Sequence, residues 1–156
     1  MKQRFYFDTS VFGGIFDNEF EETSLQLFER VKLGNVTCIY SDLTESELLN
    51  APETVRKYFS ELPASSMEYQ KVEKEAFELA SMYINEGVVG KTSFDDCIHI
   101  ATATIHKADI LVSWNFKHIV HFDKIRLFNA VNIEFGYKPL QIFSPREVTT
   151  YGREED

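Results

Sequence analysis

Three carboxylates, Asp8, Glu47 and Asp96, stand where this sequence could do chemistry. Asp8 follows the aromatic run Arg4–Phe7, Glu47 lies on a helical stretch just after the apolar run Val36–Tyr40, and Asp96 falls in the first turn of a strongly marked helix. In open α/β sheets ligands bind beyond the carboxyl ends of the strands, so acids arriving there from distant positions can converge. Convergent carboxylates make a site for a hard cation such as Mg²⁺ or Mn²⁺, the equipment of phosphodiester hydrolysis. Close carboxylates also repel, so at least one should have a raised pKa, and cation binding should release protons. Each acid alone has a plainer reading. Ser93-Phe94-Asp95-Asp96 and Thr44-Glu45-Ser46-Glu47 match the Ser/Thr-x-x-acid start of a helix, and Asp8 or Ser10 could cap a following one. Only the combination points to a site.

The elements that must position these acids alternate. Arg4–Phe7 is a short aromatic strand, followed by a break at Gly13-Gly14. Leu25, Phe28, Val31 and Leu33 recur at helical spacing up to Gly34; Val36–Tyr40 is a second strand, and Leu43–Leu49 returns to helix. Residues 53–62 and 68–86 are predicted as two further helices, the latter with Val72, Phe77, Leu79, Ala80, Tyr83 and Ile84 as its inner stripe. Ser93–Ala108 is the best-marked helix, Ile110–Val112 a wholly apolar central strand, Lys124–Phe135 a helix and Leu140–Phe143 a fourth strand. Strands alternating with helices mean an α/β sandwich with a mostly parallel sheet. No linker or repeat divides it, so residues 1–151 read as one domain and 152–156 as a frayed tail.

Composition narrows the function. The 156 residues carry 16 Lys plus Arg against 25 Asp plus Glu, a net charge of −9. That excludes a broad electrostatic grip on nucleic acid, which depends on counterion release by basic residues. The charge is uneven: residues 91–128 hold 5 basic and 4 acidic residues, leaving 11 and 21 for the remainder. Any nucleic acid contact is therefore local, and Lys117 and His118 are the candidates to touch a substrate phosphate. Cys38 and Cys97 sit in apolar runs without metal spacing and are expected as buried thiols in a cytoplasmic protein. No apolar run is long enough to span a membrane. The histidines (His99, His106, His118, His121) lack zinc-finger spacing and are expected at or near the surface. Trp114 reads as a packing residue, and the acidic run Asp17, Glu19, Glu21, Glu22 as the solvated start of a helix.

Four segments together resemble the PIN domains, and more narrowly the VapC-like toxin ribonucleases of bacterial toxin–antitoxin pairs. They are Phe7-Asp8-Thr9-Ser10-Val11, Ser41-Asp42-Leu43-Thr44-Glu45-Ser46-Glu47-Leu48, Asp95-Asp96-Cys97-Ile98-His99-Ile100-Ala101-Thr102-Ala103 and Leu111-Val112-Ser113-Trp114-Asn115-Phe116. They occur in the family's order over nearly the whole chain. The resemblance implies a PIN-like three-layer sandwich and an Mg²⁺- or Mn²⁺-dependent endoribonuclease acting on RNA. It implies Asp8, Glu47 and Asp96 as metal-site acids, a homodimer, and an antitoxin protein that covers the acidic pocket.

One position departs from the family. Where an Asp is usual after the third strand of the motif series, this chain has Ser113-Trp114-Asn115. An Asn amide offers a hydrogen bond or a weak oxygen ligand but no charge, so cation affinity should be lower. Asp95 or Asp123 are the nearby acids that would have to compensate. The rival expectation is a PIN-fold scaffold with weakened catalysis that serves as a partner-binding module. A phosphatase-like use of Asp8 as nucleophile is disfavoured, because position 10 is Ser and no phosphate-binding loop follows.

Overall fold

Successive strand residues face opposite sides of a sheet, and here that alternation separates two cores. In β1 (Gln3–Phe7), Phe5 and Phe7 enter one core and Tyr6 the other, all three essentially inaccessible to water. In β2 (Val36–Ser41), Cys38 joins Phe5 and Phe7 while Ile39 joins Tyr6. β4 (Ile110–Val112) divides Leu111 and Val112 in the same way. A sheet apolar on both faces must be covered on both, and the result is a three-layer sandwich. The computed structural model describes residues 2–151, so the expected tail Gly152–Asp156 lies outside the described residues.

The first core is closed by α1 (Thr9–Gly14), α2 (Glu21–Lys32) and α4 (Glu53–Ser60), which bring Phe12, Leu27, Phe28, Val31 and Val55. The Phe7 and Phe12 rings lie 5.2 and 5.3 Å from that of Phe28, and burying each such ring stabilises the fold by roughly 2–3 kcal/mol. The second core is closed by α5 (Lys74–Asn85), α6 (Phe94–Ile105) and α7 (Phe122–Glu134). α6 is the most enclosed of them: every residue from Cys97 to Thr104 is buried. The helix following β2 is α3 (Asp42–Leu48), and α8 (Pro145–Tyr151), which the sequence did not predict, packs against α2.

The sheet has five strands in the order β3-β2-β1-β4-β5, with β3 at Met67–Gln70, β5 at Gln141–Phe143 and all pairings parallel. The chain builds outward from β1 through β2 to β3, then returns over α5 and α6 to start again on the other side of β1. The winding therefore reverses between β1 and β4, and such a switch point leaves a crevice at the carboxyl ends of the two strands.

Two expectations need correction here. Residues 68–86 are not one helix: their first part is the edge strand β3, and α5 begins only at Lys74. Glu68 is held by the Arg4 guanidinium of β1 at 2.6 Å, and the Val72 amide donates to Asp42 Oδ1 at 2.8 Å, so partners distant in sequence hold 67–72 extended. Four strands thus become five. Helix capping also falls elsewhere than the spacing suggests. α3 is capped by Ser41, whose hydroxyl accepts from the Thr44 amide, while neither Asp8 nor Ser93 caps its helix with its side chain. Asp8, Glu47 and Asp96 are thereby free of the structural role that each could have had.

Other expectations hold. Gly34 closes α2 with φ +80°, a left-handed conformation that favours glycine. Cys38 and Cys97 are buried free thiols, and Trp114 packs flat against Phe20 with ring centroids 4.1 Å apart. Among the described residues no helix is long and apolar enough to cross a membrane.

Candidate active site

Asp8 is the first residue beyond β1, and its amide continues the ladder by donating to the Val112 carbonyl at 3.0 Å. That register sets Asp8 beside Ser113, the residue after β4. Ser113 and Ser10 both donate hydroxyl protons to Asp8 Oδ2, each at 2.7 Å. Ser10 Oγ also accepts from the Trp114 amide at 2.9 Å. Asp8, only 5% exposed, thus has its carboxylate anchored through a single oxygen.

Glu47, on the last turn of α3, is anchored in the same manner. Its Oε1 accepts from the Thr9 hydroxyl and from His99 Nε2, both at 2.6 Å. Asp96, in the first turn of α6, accepts at Oδ2 from the side-chain amide of Asn115 at 3.3 Å. Each of the three acids therefore has one oxygen engaged by protein donors, while among the described residues no hydrogen bond reaches Asp8 Oδ1, Glu47 Oε2 or Asp96 Oδ1, the first of which lies 3.8 Å from His99 Nε2.

The charges respond to one another. Burial pushes Asp96 up, the charges of Asp8 and Glu47 add to it, and despite His99 and Asn115 its pKa is pushed up to about 6. The like-charge conflict expected of convergent carboxylates thus adds to the larger effect of burial. Glu47 moves the other way. Burial raises it, but the His99 hydrogen bond and charge and the Thr9 hydroxyl outweigh burial and hold it below the usual carboxylate range. His99 is fully buried, which disfavours its charge, yet Tyr6, Glu47 and Asp8 around it hold the ring well above the ordinary imidazole range.

His99 corrects an expectation, since it is a central, fully buried group of the site. Thr9, Ser10 and Ser113, which donate to the acids, are likewise site residues that the sequence reading misses. A signal existed: Asp96 and His99 are three residues apart and so share one face of α6.

Asn115 does reach the site, oriented by its own loop. Its Oδ1 accepts from the His118 amide at 3.0 Å, which turns the amino end toward Asp96. The position presents a donor, and its oxygen is engaged away from the acids. Lys117 is exposed on the turn that follows. His118 is half-buried there, its ring held below the ordinary imidazole range by burial and by the charges of Lys117 and Lys124. Asp95 and Asp123 are both exposed, and no hydrogen bond or ion pair joins either to the three acids.

The acids do not form a finished ligand cage: among the described residues no group of three or more His, Cys, Asp and Glu side chains has its atoms gathered to hold a metal ion. The cause is visible in the contacts. The proton-bearing Nε2 of His99 stands between Glu47 Oε1 at 2.6 Å and Asp8 Oδ1 at 3.8 Å, and Asn115 holds Asp96 by its amino group. In chemistry the donor set suits a hard cation: carboxylate oxygens free of protein donors, at mutually repelling acids.

A sequence model of the PIN domain matches residues 5–131. No curated protein matches the chain. Among solved structures, a toxin–antitoxin complex from Klebsiella pneumoniae is similar with TM-score 0.54 and 19% identity over 72% of this chain and 88% of that one. The VapBC2 complex from Rickettsia felis, bound to a promoter DNA fragment, is similar with TM-score 0.59 and 14% identity over 91% of this chain and 98% of that one. At such identities the likeness is one of fold. The extent of the sequence match makes the chain a member of the PIN-domain family.

Proposed function

We propose that this protein is a cytoplasmic Mg²⁺- or Mn²⁺-dependent endoribonuclease, the toxin of a toxin–antitoxin pair, hydrolysing phosphodiester bonds of single-stranded or structured RNA. One observation carries the reading: acids from the end of β1, α3 and α6 meet at the switch point, each with one oxygen committed to donors among the described residues and one not, and burial together with the charges of Asp8 and Glu47 pushes Asp96 up to about 6. Asp8, Glu47 and Asp96 would hold the cation. When bound, it supplies charge neutralisation at the phosphate and lowers the pKa of a water molecule. The chain's own groups do the rest. Ser10, Ser113, Thr9 and His99 keep the carboxylates from turning, and exposed Lys117 meets a neighbouring phosphate, with neutral His118 beside it. Family membership and fold neighbours solved as toxin–antitoxin complexes support an antitoxin as partner, and the family resemblance supports a homodimer.

The test is incubation of the purified protein with single-stranded RNA in Mg²⁺ or Mn²⁺, beside EDTA and an Asp8→Asn control. Cation-dependent cleavage lost in Asp8→Asn is expected; intact RNA under all conditions with a folded protein would sink the proposal. That outcome would favour a weakened scaffold. Its supporting observation is Asn115, which brings no negative charge and turns its amino end inward.

A further inference from the structure

Glu47 ends a buried chain of hydrogen bonds that begins at the cap of its own helix. Ser41 caps α3 and sits 2.8 Å from the Tyr6 hydroxyl. The Tyr6 hydroxyl is 2.7 Å from His99 Nδ1, and His99 Nε2 is 2.6 Å from Glu47 Oε1. Ser41, Tyr6 and His99 are all inaccessible to water, so no solvent competes for these bonds. They belong to the α3 cap, β1 and α6, and so link the elements that carry Glu47, Asp8 and Asp96.

The proton on Nε2 follows from the partners. A carboxylate oxygen is acceptor-only, so a nitrogen 2.6 Å from it must donate. Nδ1 can accept from Tyr6 in the neutral ring or donate to it in the charged one, and in both cases Nε2–H points to Glu47. Both ring nitrogens are thus occupied, and His99 has none to offer as a metal ligand. Thr9 donates to the same carboxylate oxygen. Two donors on Oε1 fix the plane of a flexible side chain and leave Oε2 as the oxygen to face a ligand.

We propose that His99, braced through Tyr6 and Ser41, is a positioning residue that fixes which oxygen of Glu47 is offered to the cation. This rests on the cation-dependent reading above. It adds a part that does not touch substrate, in the manner of groups that orient metal-binding side chains from behind.

The test compares His99→Leu, His99→Gln and Tyr6→Phe with the unaltered protein, after melting curves have shown that each is folded. Mn²⁺ affinity measured by calorimetry should fall ~10- to 100-fold in His99→Leu, the range typical of losing such an orienting partner. His99→Gln, which restores a side-chain donor at comparable reach, should recover most of it. Tyr6→Phe keeps the ring in the core and loses only the brace, so it should fall between. Unchanged affinity in His99→Leu, or no recovery in a folded His99→Gln, overturns the proposal. A second measurement needs no cation. Nitrogen-15 NMR of the metal-free protein should show a slowly exchanging proton on His99 Nε2, exchanging much faster in Glu47→Ala. An unprotonated Nε2, or one indifferent to Glu47→Ala, also overturns it. If the unaltered protein binds no Mn²⁺ and cuts no RNA, the proposed function fails, while the hold of His99 on Glu47 is still decided by the NMR arm.

Discussion

The two halves of the site are built to different tightness. On one side, Asp8 and Glu47 have two donors each at 2.6–2.7 Å, all from buried or half-buried groups on α1, α6 and the residue after β4. On the other, Asp96 has one contact at 3.3 Å, from an Asn whose oxygen is already committed to a turn. The pKa values follow the wiring. Burial raises both, but the His99 hydrogen bond and charge and the Thr9 hydroxyl bring Glu47 below the usual range, whereas at Asp96 the charges of Asp8 and Glu47 add to burial and keep it above. One half is preorganised at the cost of fixed side chains; the other keeps a repelled carboxylate that only a proton or a cation can quiet.

The sharpest way to break this contrast is at the tight half. Asp8→Asn keeps an oxygen to accept from Ser10 and Ser113, so the fold should persist, but the anion is gone. RNA cleavage should fall by roughly 10²–10³-fold, corresponding to several kcal/mol of lost charge stabilisation. Cleavage within tenfold of the unaltered protein would move the chemistry elsewhere. Gly14→Ala strikes the support from behind. A Cβ there would lie 2.6 Å from Ser24 Oγ and 2.7 Å from Trp114 Nε1, between two groups already hydrogen-bonded at 2.9 Å. Unfolding free energy should drop by about 2 kcal/mol in urea titrations, since neither backbone helix nor indole can yield freely. Asn115→Asp tests the loose half. Its carboxylate can still cap the turn through one oxygen while the other faces Asp96, so cation affinity should rise about tenfold, near 1.4 kcal/mol. No change in affinity would mean that this half does not meet the cation.

The sequence made the acids legible as candidates, but not the contacts that hold them. Asp8, Glu47 and Asp96 stood out as candidates because strand–helix alternation brings acids near strand ends to one side of a parallel sheet and because the PIN-like segments contain them. β3 could not: Met67-Glu68-Tyr69-Gln70 carries no apolar alternation and runs on into a true helix stripe, and Arg4 and Asp42, far off in sequence, hold it extended. Helix capping misled in the opposite way, since Ser41 and Thr44 take the role at α3 that the Thr44-to-Glu47 spacing suggested. His99 was hidden for a physical reason. Whether a histidine is a solvated side chain or a buried donor depends on partners such as Tyr6, 93 positions away. Asn115 was found as a departure, but which end of its amide faces the acids depends on the His118 amide, a tertiary detail of one turn.

The smallest expected effect separates the halves by pH. Asp96 has a folded-state pKa raised from 3.8 to about 6, so the folded metal-free protein binds more protons than the unfolded chain between those values. Stability therefore falls as pH rises through that window and stays lower above it. A fully shielded group with a shift of this size would cost about 3 kcal/mol, but Asp96 is half-buried and screened by water, which reduces the cost to on the order of 1 kcal/mol. Asp96→Asn removes the titration and leaves a neutral amide beside Asn115. In EDTA it should match the unaltered protein near pH 4 and be more stable by about 1 kcal/mol at pH 7.5, as read from melting or urea curves. Glu47→Gln should show no such gain, because Glu47 is held below its ordinary range and its charge is stabilising above the unfolded pKa. Equal pH profiles for the two variants would erase the contrast between a wired and an unwired carboxylate. With Mg²⁺ added, the advantage of Asp96→Asn should reverse, since the cation then favours the charge that burial and repulsion had opposed.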